Sequence, residues 1–362
     1  MRAAVFHGRG DVRVEEVPCA EFGADEILLR VAAVGICGTD AHEFASGPHM
    51  FPIQNRHPVS GHVGPMIPGH ELAGTVVAVG ASVTGFPEGA LVVSGAGISC
   101  GKCHWCQRSQ TNLCERYSTL GLHQNGGLAQ YVVVPASTCV DASTYGVSAD
   151  TAALGQPMSI AVHAMRRGRL VEDEVAVILG AGGIGAFLTY AASQLAKAVI
   201  VADLDETRLA IASELGARHV VQVGVGDNVA DVLAEHDLIP SVIYEVSGTA
   251  AGFAEALALS PRGARVVLVG LQNGSAEFNA RDLSLREVEL IGTNAHVVTS
   301  DLPEALRLLA SRPGGWTDIA PLALSLDDLV EEGLRPLAER RSARIKTLVD
   351  PWTDETRKTT AS

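Results

Sequence analysis

Short apolar runs alternate with amphipathic stretches between residues 175 and 292. The apolar runs have the length of buried strands, and the stretches between them have helical spacing. The pattern predicts six strands, at residues 175–179, 199–202, 218–223, 241–246, 265–270 and 288–292. Strands that alternate with helices form a parallel sheet, so we expect a doubly wound α/β domain over residues 151–295.

Residues 1–150 show a different pattern, in which Gly and Pro separate short strand-like segments. The clearest of these lie at residues 12–17, 26–31, 72–79, 90–93 and 129–134. Helical spacing begins near residue 151, and the later alternation stops near residue 296. Beyond it we expect helices at 302–312 and 326–338, a strand at 344–349 and a loose polar tail from Trp352. Residues 1–150 and 296–362 are therefore predicted to form one mainly β domain.

A glycine-rich turn follows the first strand of the α/β region. Gly180, Gly182 and Gly185 fit the pattern G-x-G-x-x-G, with Gly183 and Ile184 between the last two. Such glycines permit a tight turn, close approach of a pyrophosphate and close packing of helix on strand. Asp203 ends the second strand, where a carboxylate can accept hydrogen bonds from ribose hydroxyls. No basic residue follows directly, which favours NAD over NADP.

Four of the seven cysteines lie close together in the first domain. Their spacing is C-x2-C-x2-C-x7-C, from Cys100 through Cys103 and Cys106 to Cys114. Four thiolates at this spacing are typical of a tetrahedral structural zinc site with no open position. We therefore predict a zinc lobe at about residues 95–118.

A second candidate metal site lies in the stretch from Gly35 to Glu71. Cys37, His70 and Glu71 stand there on what the pattern predicts to be short glycine-flanked turns. Thiolate, imidazole and carboxylate are ligands that Zn²⁺ accepts, and three protein ligands leave a position open for chemistry. His49, His57 and His62 in the intervening loop are interpreted as solvated side chains.

Composition limits the function classes. With 27 Lys and Arg against 41 Asp and Glu, the formal net charge is −14, which disfavours nucleic acid and anionic membranes as partners. The N-terminus lacks the apolar segment of a signal peptide, and the longest apolar run, 175–202, is broken by the glycine-rich turn. We expect a cytoplasmic protein that uses its cysteines for metal rather than disulfides.

These motifs resemble the zinc-dependent alcohol dehydrogenases of the medium-chain dehydrogenase/reductase superfamily. GICGTDAH, PGHELAG, CGKCHWC, QPMSIAVHA, VILGAGGIG and IKTLVDP occur in the order typical of that family. The Pro- and His-rich loop after residue 41 is similar to the (R,R)-butanediol dehydrogenase branch, and ADLDETRL is similar to the sorbitol dehydrogenase branch. The resemblance implies a GroES-like catalytic domain, a Rossmann cofactor domain and a homodimer or homotetramer.

The resemblance also implies roles for individual residues. Cys37 and His70 would bind a catalytic zinc, with Glu71 as ligand or adjacent carboxylate, and Asp40 would orient the ligands. Thr39 and His42 would carry the substrate proton, through the nicotinamide ribose. Cys100, Cys103, Cys106 and Cys114 would bind the structural zinc. The implied NAD contacts are Gly180, Gly182, Gly183, Ile184, Gly185, Asp203, Arg208, Val269, Gly270, Leu271, Thr293, Asn294 and Ala295.

One position departs from the family pattern. A Glu usually precedes the Pro of the segment that matches residues 156–157, where it binds zinc or its water, and this chain has Gln156. An amide oxygen can still coordinate zinc but brings no negative charge. The resemblance thus implies a zinc that is either more Lewis-acidic or more weakly held.

The resemblance therefore implies an NAD-dependent zinc dehydrogenase that acts on a secondary alcohol or ketone, and similarity to the butanediol branch implies a vicinal diol or acyloin. A sorbitol, cyclic polyol or L-threonine dehydrogenase of the same superfamily is the nearest alternative. A zinc-free quinone reductase would lack both cysteine sets. A zinc-ribbon nucleic-acid-binding protein fits the four-cysteine lobe alone, but the charge of −14 and the dinucleotide turn oppose it.

Overall fold

The computed structural model describes residues 1–226, 228–272 and 274–361. The chain forms two compact units, Met1–Ser159 with His296–Ser362, and Ile160–Ala295. The first junction lies at Ser159 rather than near residue 150, because the short helix Ala149–Ala152 packs on strands of the first unit.

Eighteen strands are present in the described residues. In chain order, β1 to β9 are Arg2–Gly8, Asp11–Glu16, Glu26–Gly35, Glu71–Val79, Leu91–Ser94, Gly97–Ile98, Ser118–Thr119, Tyr131–Pro135 and Cys139–Asp141. Strands β10 to β15 are Val175–Leu179, Ala198–Asp203, His219–Gln222, Val242–Glu245, Arg265–Leu268 and Glu289–Gly292. The last three, β16 to β18, are Leu322–Leu324, Leu348–Val349 and Arg357–Lys358.

Eleven α-helices are present in the same ranges. Helices α1 to α6 are Gly38–Ser46, His104–Gln107, Ala149–Ala152, Gly155–Arg167, Gly183–Ser193 and Glu206–Glu214. Helices α7 to α11 are Val229–Glu235, Ala250–Leu259, Ala280–Arg286, Val298–Ser311 and Arg335–Ala338. Short 3₁₀ turns lie at Thr111–Leu113 and Ala136–Thr138, and a π-helix at Leu329–Leu334.

The first unit is built on an eight-stranded sheet. Its order is β18-β16-β17-β3-β4-β5-β9, with β8 also paired to β3, while β1–β2 and β6–β7 form separate two-stranded pairs. Strands β3 and β4 run antiparallel through its middle, and Ile27, Leu29 and Leu72 on them are completely buried. The mainly β fold of the first part of the chain is confirmed.

The second unit contains a six-stranded sheet in the order β12-β11-β10-β13-β14-β15, and every neighbouring pair is parallel. This strand order is that of a dinucleotide-binding sheet. Successive strands are added on one side from β10 to β12 and on the other side from β13 to β15, so the order changes sides between β10 and β13. Val177, Ile200 and Ile243 on its central strands are completely buried. All six predicted strands are present, and the doubly wound fold is confirmed.

Three local expectations near the C-terminus are wrong. The helix expected at 326–338 is a π-helix followed by the short α11, and only Leu348–Val349 of the strand expected at 344–349 is paired as strand. The tail after Trp352 is not loose. Strand β18 pairs with β16, and Arg357 binds both carboxylate oxygens of Asp150 over 2.8 Å. No helix in the described ranges is long and apolar enough to cross a bilayer.

Candidate metal and cofactor sites

The half-buried Cys37 lies between the end of β3 and the start of α1. Asp40, in the first turn of α1, accepts a hydrogen bond from the Cys37 backbone N–H through Oδ2 over 3.0 Å. A carboxylate at this position accepts a hydrogen bond from a free N–H at the helix start. Its negative charge also interacts favourably with the positive end of the helix dipole. The thiol is therefore carried by a fixed helix start, not by the short turn that the sequence suggested.

His70 and Glu71 stand at the start of β4. The antiparallel register of β3 and β4 places Glu71 opposite Gly35, two residues before Cys37. One ligand atom from each of Cys37, His70 and Glu71 lies within 4.8 Å of the others. The two halves of the sequence motif are thus brought together by strand pairing.

Gly35 provides the space that the Glu71 side chain occupies. A Cβ atom built on Gly35 would overlap Glu71 Oε2 and lie 3.1 Å from its Cβ. Gly35 is buried in the extended strand, so its role here is steric and does not involve a positive φ. Any side chain at residue 35 would displace the carboxylate.

His70 is buried between two acidic groups. Its Nδ1 lies 3.6 Å from Asp40 Oδ1, and neither atom has a hydrogen-bond partner among the described residues. Burial lowers the pKa of His70, but the neighbouring Asp40 and Cys37 outweigh it and the pKa is raised well above its usual value. An imidazole in this setting attracts positive charge, which either a proton or a metal cation supplies.

Glu71 is held from behind by Lys346. Oε1 of Glu71 accepts a hydrogen bond from Lys346 Nζ over 2.6 Å, and Nζ also donates to the carbonyl oxygen of Ile36 over 3.1 Å. Glu71 Oε2 lies 2.5 Å from the same nitrogen but accepts no hydrogen bond among the described atoms. Burial lowers the pKa of Lys346, whereas Glu71 and Cys37 raise it, with a net increase. The lysine is therefore a buried cation.

The residues present fit a zinc ion. The cluster offers a thiol, an imidazole and a carboxylate, which match the sulfur, nitrogen and oxygen ligands of catalytic zinc. Asp40 faces Nδ1 of His70, which leaves Nε2 for a metal. A carboxylate behind a ligand histidine is the usual support in such sites.

The four-cysteine lobe forms a second convergent group. The sulfur atoms of Cys100, Cys103, Cys106 and Cys114 lie within 4.8 Å of one another, and all four are free thiols. The Sγ atoms of Cys103 and Cys106 are 3.5 Å apart, near the ~3.8 Å edge of a tetrahedron with Zn–S of about 2.3 Å. Backbone N–H groups of Cys106 and Glu115 lower the pKa of Cys103 to about 6, which favours the thiolate that a metal binds.

Thr39 and His42 lie on one side of α1, three residues apart. Oγ1 of Thr39 is 3.7 Å from Cys37 Sγ, and the side chain is half-buried. His42 is exposed. Thr39 thus lies beside the thiol and His42 faces solvent, and their role as a proton path stays a prediction.

Gln156 is the second residue of α4 and is buried in the first unit. Its backbone oxygen accepts a hydrogen bond from Ser159 Oγ over 2.6 Å. Its role as a zinc ligand stays a prediction.

The glycine-rich turn connects β10 to α5 in the second unit. Gly180 has a φ of +111°, and a Cβ on Gly185 would overlap the carbonyl oxygen of Gly180. A Cβ on Gly182 would meet only Arg208 Nη1, at 4.0 Å. Two glycines are therefore required by the fold, and the third leaves open space at the start of a helix whose first N–H groups can bind phosphate.

Asp203 ends β11 beside this turn. Its Oδ2 accepts the N–H of Ala181 over 2.6 Å, and its Oδ1 accepts the N–H of Asp205 over 3.0 Å. Nε of Arg208 is buried, has no hydrogen-bond partner within the described part of the chain, and lies 3.9 Å from Asp205 Oδ2. A carboxylate and a guanidinium thus lie together at the carboxyl end of β11.

The remaining predicted cofactor residues follow the next strands. Val269, Gly270 and Leu271 come after β14, and Thr293, Asn294 and Ala295 after β15. Parallel strands place these segments on the same edge of the sheet as the glycine-rich turn. Leu271 is 84% exposed, and its contact with a cofactor stays a prediction.

Glu245, which the sequence analysis did not single out, binds the loop that follows β13 at this edge of the sheet. It is buried at the end of β13, and its Oε1 accepts the N–H of Gly248 over 3.0 Å and a hydrogen bond from Ser247 Oγ. Burial raises its pKa. A charged residue at the end of an otherwise apolar run was the signal for it in the sequence.

The fold, the two cysteine-containing clusters and the glycine-rich turn define a zinc-binding oxidoreductase of the alcohol dehydrogenase type. The alcohol dehydrogenase GroES-like domain family matches residues 23–144, and the zinc-binding dehydrogenase family matches residues 183–311. The chain belongs to the zinc-dependent alcohol dehydrogenases of the medium-chain dehydrogenase/reductase superfamily, which act on CH–OH groups.

Relatives with known names cover nearly the whole chain. Sorbitol dehydrogenase of Bacillus subtilis is 31% identical over 315 residues, which is 86% of each chain. (R,R)-butanediol dehydrogenase of the same organism is 29% identical over 97% of this chain and 100% of its own. The crystal structure of the 2R,3R-butanediol dehydrogenase from Bacillus subtilis superposes with a TM-score of 0.88 at 27% identity, over 97% of this chain and 99% of its own. The structure of a zinc-binding dehydrogenase from Sinorhizobium meliloti bound to NADP superposes with a TM-score of 0.83 at 27% identity. The match covers 97% of this chain and 99% of that one.

Proposed function

We propose that this chain is an NAD-dependent zinc dehydrogenase that interconverts a vicinal diol and the corresponding hydroxyketone. The observation that carries the proposal is the convergence of Cys37, His70 and Glu71 in a chain whose second unit contains the glycine-rich turn. These are the two halves that hydride transfer from an alcohol requires, a cation for the oxygen and a nucleotide for the hydride.

Cys37, His70 and Glu71 would hold the catalytic zinc. When bound, zinc supplies a Lewis acid that makes an alcohol O–H more acidic or polarises a carbonyl. Asp40 keeps Cys37 and His70 in place from one side, and Lys346 keeps Glu71 in place from the other. The Zn²⁺ ion, one thiolate and one carboxylate sum to zero charge, and the opposite charges of Lys346 and Asp40 balance each other, so the zinc itself would stabilise an anionic substrate oxygen.

Thr39 and His42 would move the substrate proton. The hydroxyl of Thr39 accepts the proton of the substrate O–H and gives its own proton onward, and an imidazole nitrogen of His42 receives it. His42 is exposed and can pass the proton to water. In the reverse direction the same groups return a proton to the carbonyl oxygen.

The second unit would bind NAD. The N–H groups at the start of α5 would bind the pyrophosphate, and Asp203 would accept hydrogen bonds from the adenosine ribose. The negative charge of Asp203 opposes a 2′-phosphate, so NAD should be preferred although Arg208 lies 3.9 Å from the neighbouring Asp205. The ratio of kcat/KM for NAD to that for NADP measures this preference, and Asp203→Gly should lower the ratio; an unchanged ratio would contradict the ribose role.

A diol is supported by the nature of the relatives. Sorbitol dehydrogenase and (R,R)-butanediol dehydrogenase are both named for alcohols with a second oxygen beside the reacting one. Butanediol is favoured because that relative matches over its full length. Sorbitol is the second candidate, because the sorbitol dehydrogenase of Bacillus subtilis has the higher identity.

The test is NADH formation from a panel of 2,3-butanediol stereoisomers, sorbitol, a cyclic polyol, L-threonine and simple secondary alcohols, with chiral analysis of the acetoin and diol products. The proposal predicts the highest kcat/KM on one butanediol stereoisomer. A higher kcat/KM on sorbitol would select the second candidate, and no turnover on any alcohol would refute both. The same preparation, measured by light scattering, tests the prediction of a homodimer or homotetramer.

A further inference from the structure

A second histidine lies against the histidine of the proton path. The rings of His42 on α1 and His49 in the following loop are stacked, with centroids 4.6 Å apart and planes 24° apart. Both side chains are exposed. Two exposed imidazoles are thus in face-to-face contact at the outer end of the proposed proton path.

The loop that carries His49 is held onto α1 by a buried carboxylate. Glu43 is 1% exposed, and its two oxygens accept the backbone N–H groups of His49 over 2.8 Å and Met50 over 2.6 Å. The chain reverses at Gly47, where a Cβ would overlap Glu43. The position of His49 beside α1 is therefore fixed by the backbone and not only by contact between the rings.

The contacts of Ser46 favour one tautomer of His49. Its hydroxyl donates to the carbonyl oxygen of His42 over 3.0 Å, and its Oγ lies 2.9 Å from Nε2 of His49. Because the only hydroxyl proton is used in the first bond, Nε2–H of His49 is the donor in the second. Nδ1 of His49 is left with a free lone pair, which is the state of a base ready to accept a proton.

We propose that His49 is the last proton carrier of the alcohol oxidation, an assignment that rests on the proposed dehydrogenase function. Thr39, His42 and Ser46 follow one face of α1, and His49 extends that line beyond the helix end. The lone pairs of stacked rings lie in the ring planes, so the proton passes from a nitrogen of His42 through one water to Nδ1 of His49. His49 then releases it to bulk solvent or buffer, and both rings return to the neutral form.

His49→Phe tests the assignment, because Phe keeps a flat ring that can stack and removes the base. In weakly buffered solution we expect kcat for diol oxidation to fall roughly three- to tenfold, less than the 10²–10⁴ of a direct acid–base group. Added imidazole should restore it, and the KM values for NAD and diol should stay unchanged. His62→Phe is the matched control, since His62 lies in the same loop and its ring nitrogen Nε2 lies 3.3 Å from the carbonyl oxygen of Gly64, outside α1.

The outcomes separate this assignment from the proposed function. A wild type that turns over the diol while His49→Phe retains full kcat in weak buffer overturns the relay role alone. A loss that imidazole does not restore also overturns it, since that is the result of a structural role. A wild type without turnover overturns both proposals. The stack itself is tested without turnover by NMR: His42→Ala should move the ring resonances of His49 and leave those of His62, and unmoved His49 resonances contradict the geometry.

Discussion

Lys346 and Glu71 form a buried ion pair, in which Nζ donates to Oε1 over 2.6 Å. Their side chains are only 6% and 1% exposed. The lysine comes from the stretch before β17 and the glutamate from the start of β4. The pair therefore joins the C-terminal part of the first unit to its candidate metal centre.

Replacing Lys346 by Met should destabilise the protein. The variant leaves the Glu71 carboxylate buried without its cation, which costs about 3–5 kcal/mol in comparable pairs. Urea unfolding of the metal-free protein measures the loss, and Lys197→Met, at an exposed position, is the control. A difference below ~0.5 kcal/mol between the two variants would show that the pair does not contribute as described.

Gly35→Ala should damage the candidate catalytic site and leave the zinc lobe intact. The added Cβ would overlap Glu71 Oε2, so the carboxylate must move from the position that places it near Cys37 and His70. We expect weaker binding of one zinc per chain, measured by titration with a chelator. Gly38→Ala is the matched control, because a Cβ there meets nothing within 4 Å. Equal zinc affinity in the two variants would be the contrary result.

Gln156→Glu should strengthen zinc binding and reduce the Lewis acidity of the bound zinc. The substitution adds a negative charge at a buried position in the first unit, where the family usually has Glu. If residue 156 lies at the metal, chelator resistance should increase and the pH optimum of alcohol oxidation should rise, because a more negative centre makes the substrate O–H less acidic. Gln194→Glu, at an exposed position, controls for the charge alone. A Gln156→Glu enzyme that matches this control in both measurements would remove residue 156 from the metal site.

Because of His123, the stability of the folded protein should decrease as the pH falls through the acidic range. Its ring stacks on His57 at 4.3 Å and its Nδ1 accepts the N–H of Thr119 over 2.9 Å. Burial, followed by the neighbouring His57, lowers the pKa of His123 to about 4. The folded state thus stays unprotonated between about pH 6.5 and 4 while the unfolded state takes up a proton, so stability decreases as the pH falls through this window.

The expected loss is on the order of 1–2 kcal/mol once solvent screening is allowed for. Denaturant unfolding at pH 7 and pH 5 measures it, and His123→Asn, which keeps an acceptor for Thr119, should flatten the difference. The same slope in wild type and variant would show that His123 does not cause it.

The sequence carries much of the fold because its strongest signals are local. The six apolar runs and the turn at Gly180 predict the parallel sheet, since each strand and each glycine can be interpreted from its neighbours alone. The spacing of Cys100 to Cys114 predicts convergence for the same reason, and the four sulfur atoms do converge.

The features that the sequence did not predict depend on contacts between distant residues. Lys346 is 275 residues from Glu71, and the sequence analysis did not connect the two residues. The tail after Trp352 is polar, yet it is fixed by Arg357 bound to Asp150, 207 residues away. His49 is a local case: it is exposed, as a solvated loop residue should be, but its ring contact with His42 and its bond to Glu43 cannot be recognised from residue types although those residues are only seven and six positions away.

The zinc content of Cys37→Ala tests the central claim most directly. Two ligand groups are present among the described residues, so the wild type should contain two zinc ions per chain by mass spectrometry of the metal. Cys37→Ala should contain one, bind NAD with unchanged affinity and form no NADH from any alcohol. A Cys37→Ala protein that keeps both zinc ions, or that still oxidises an alcohol, would contradict the account.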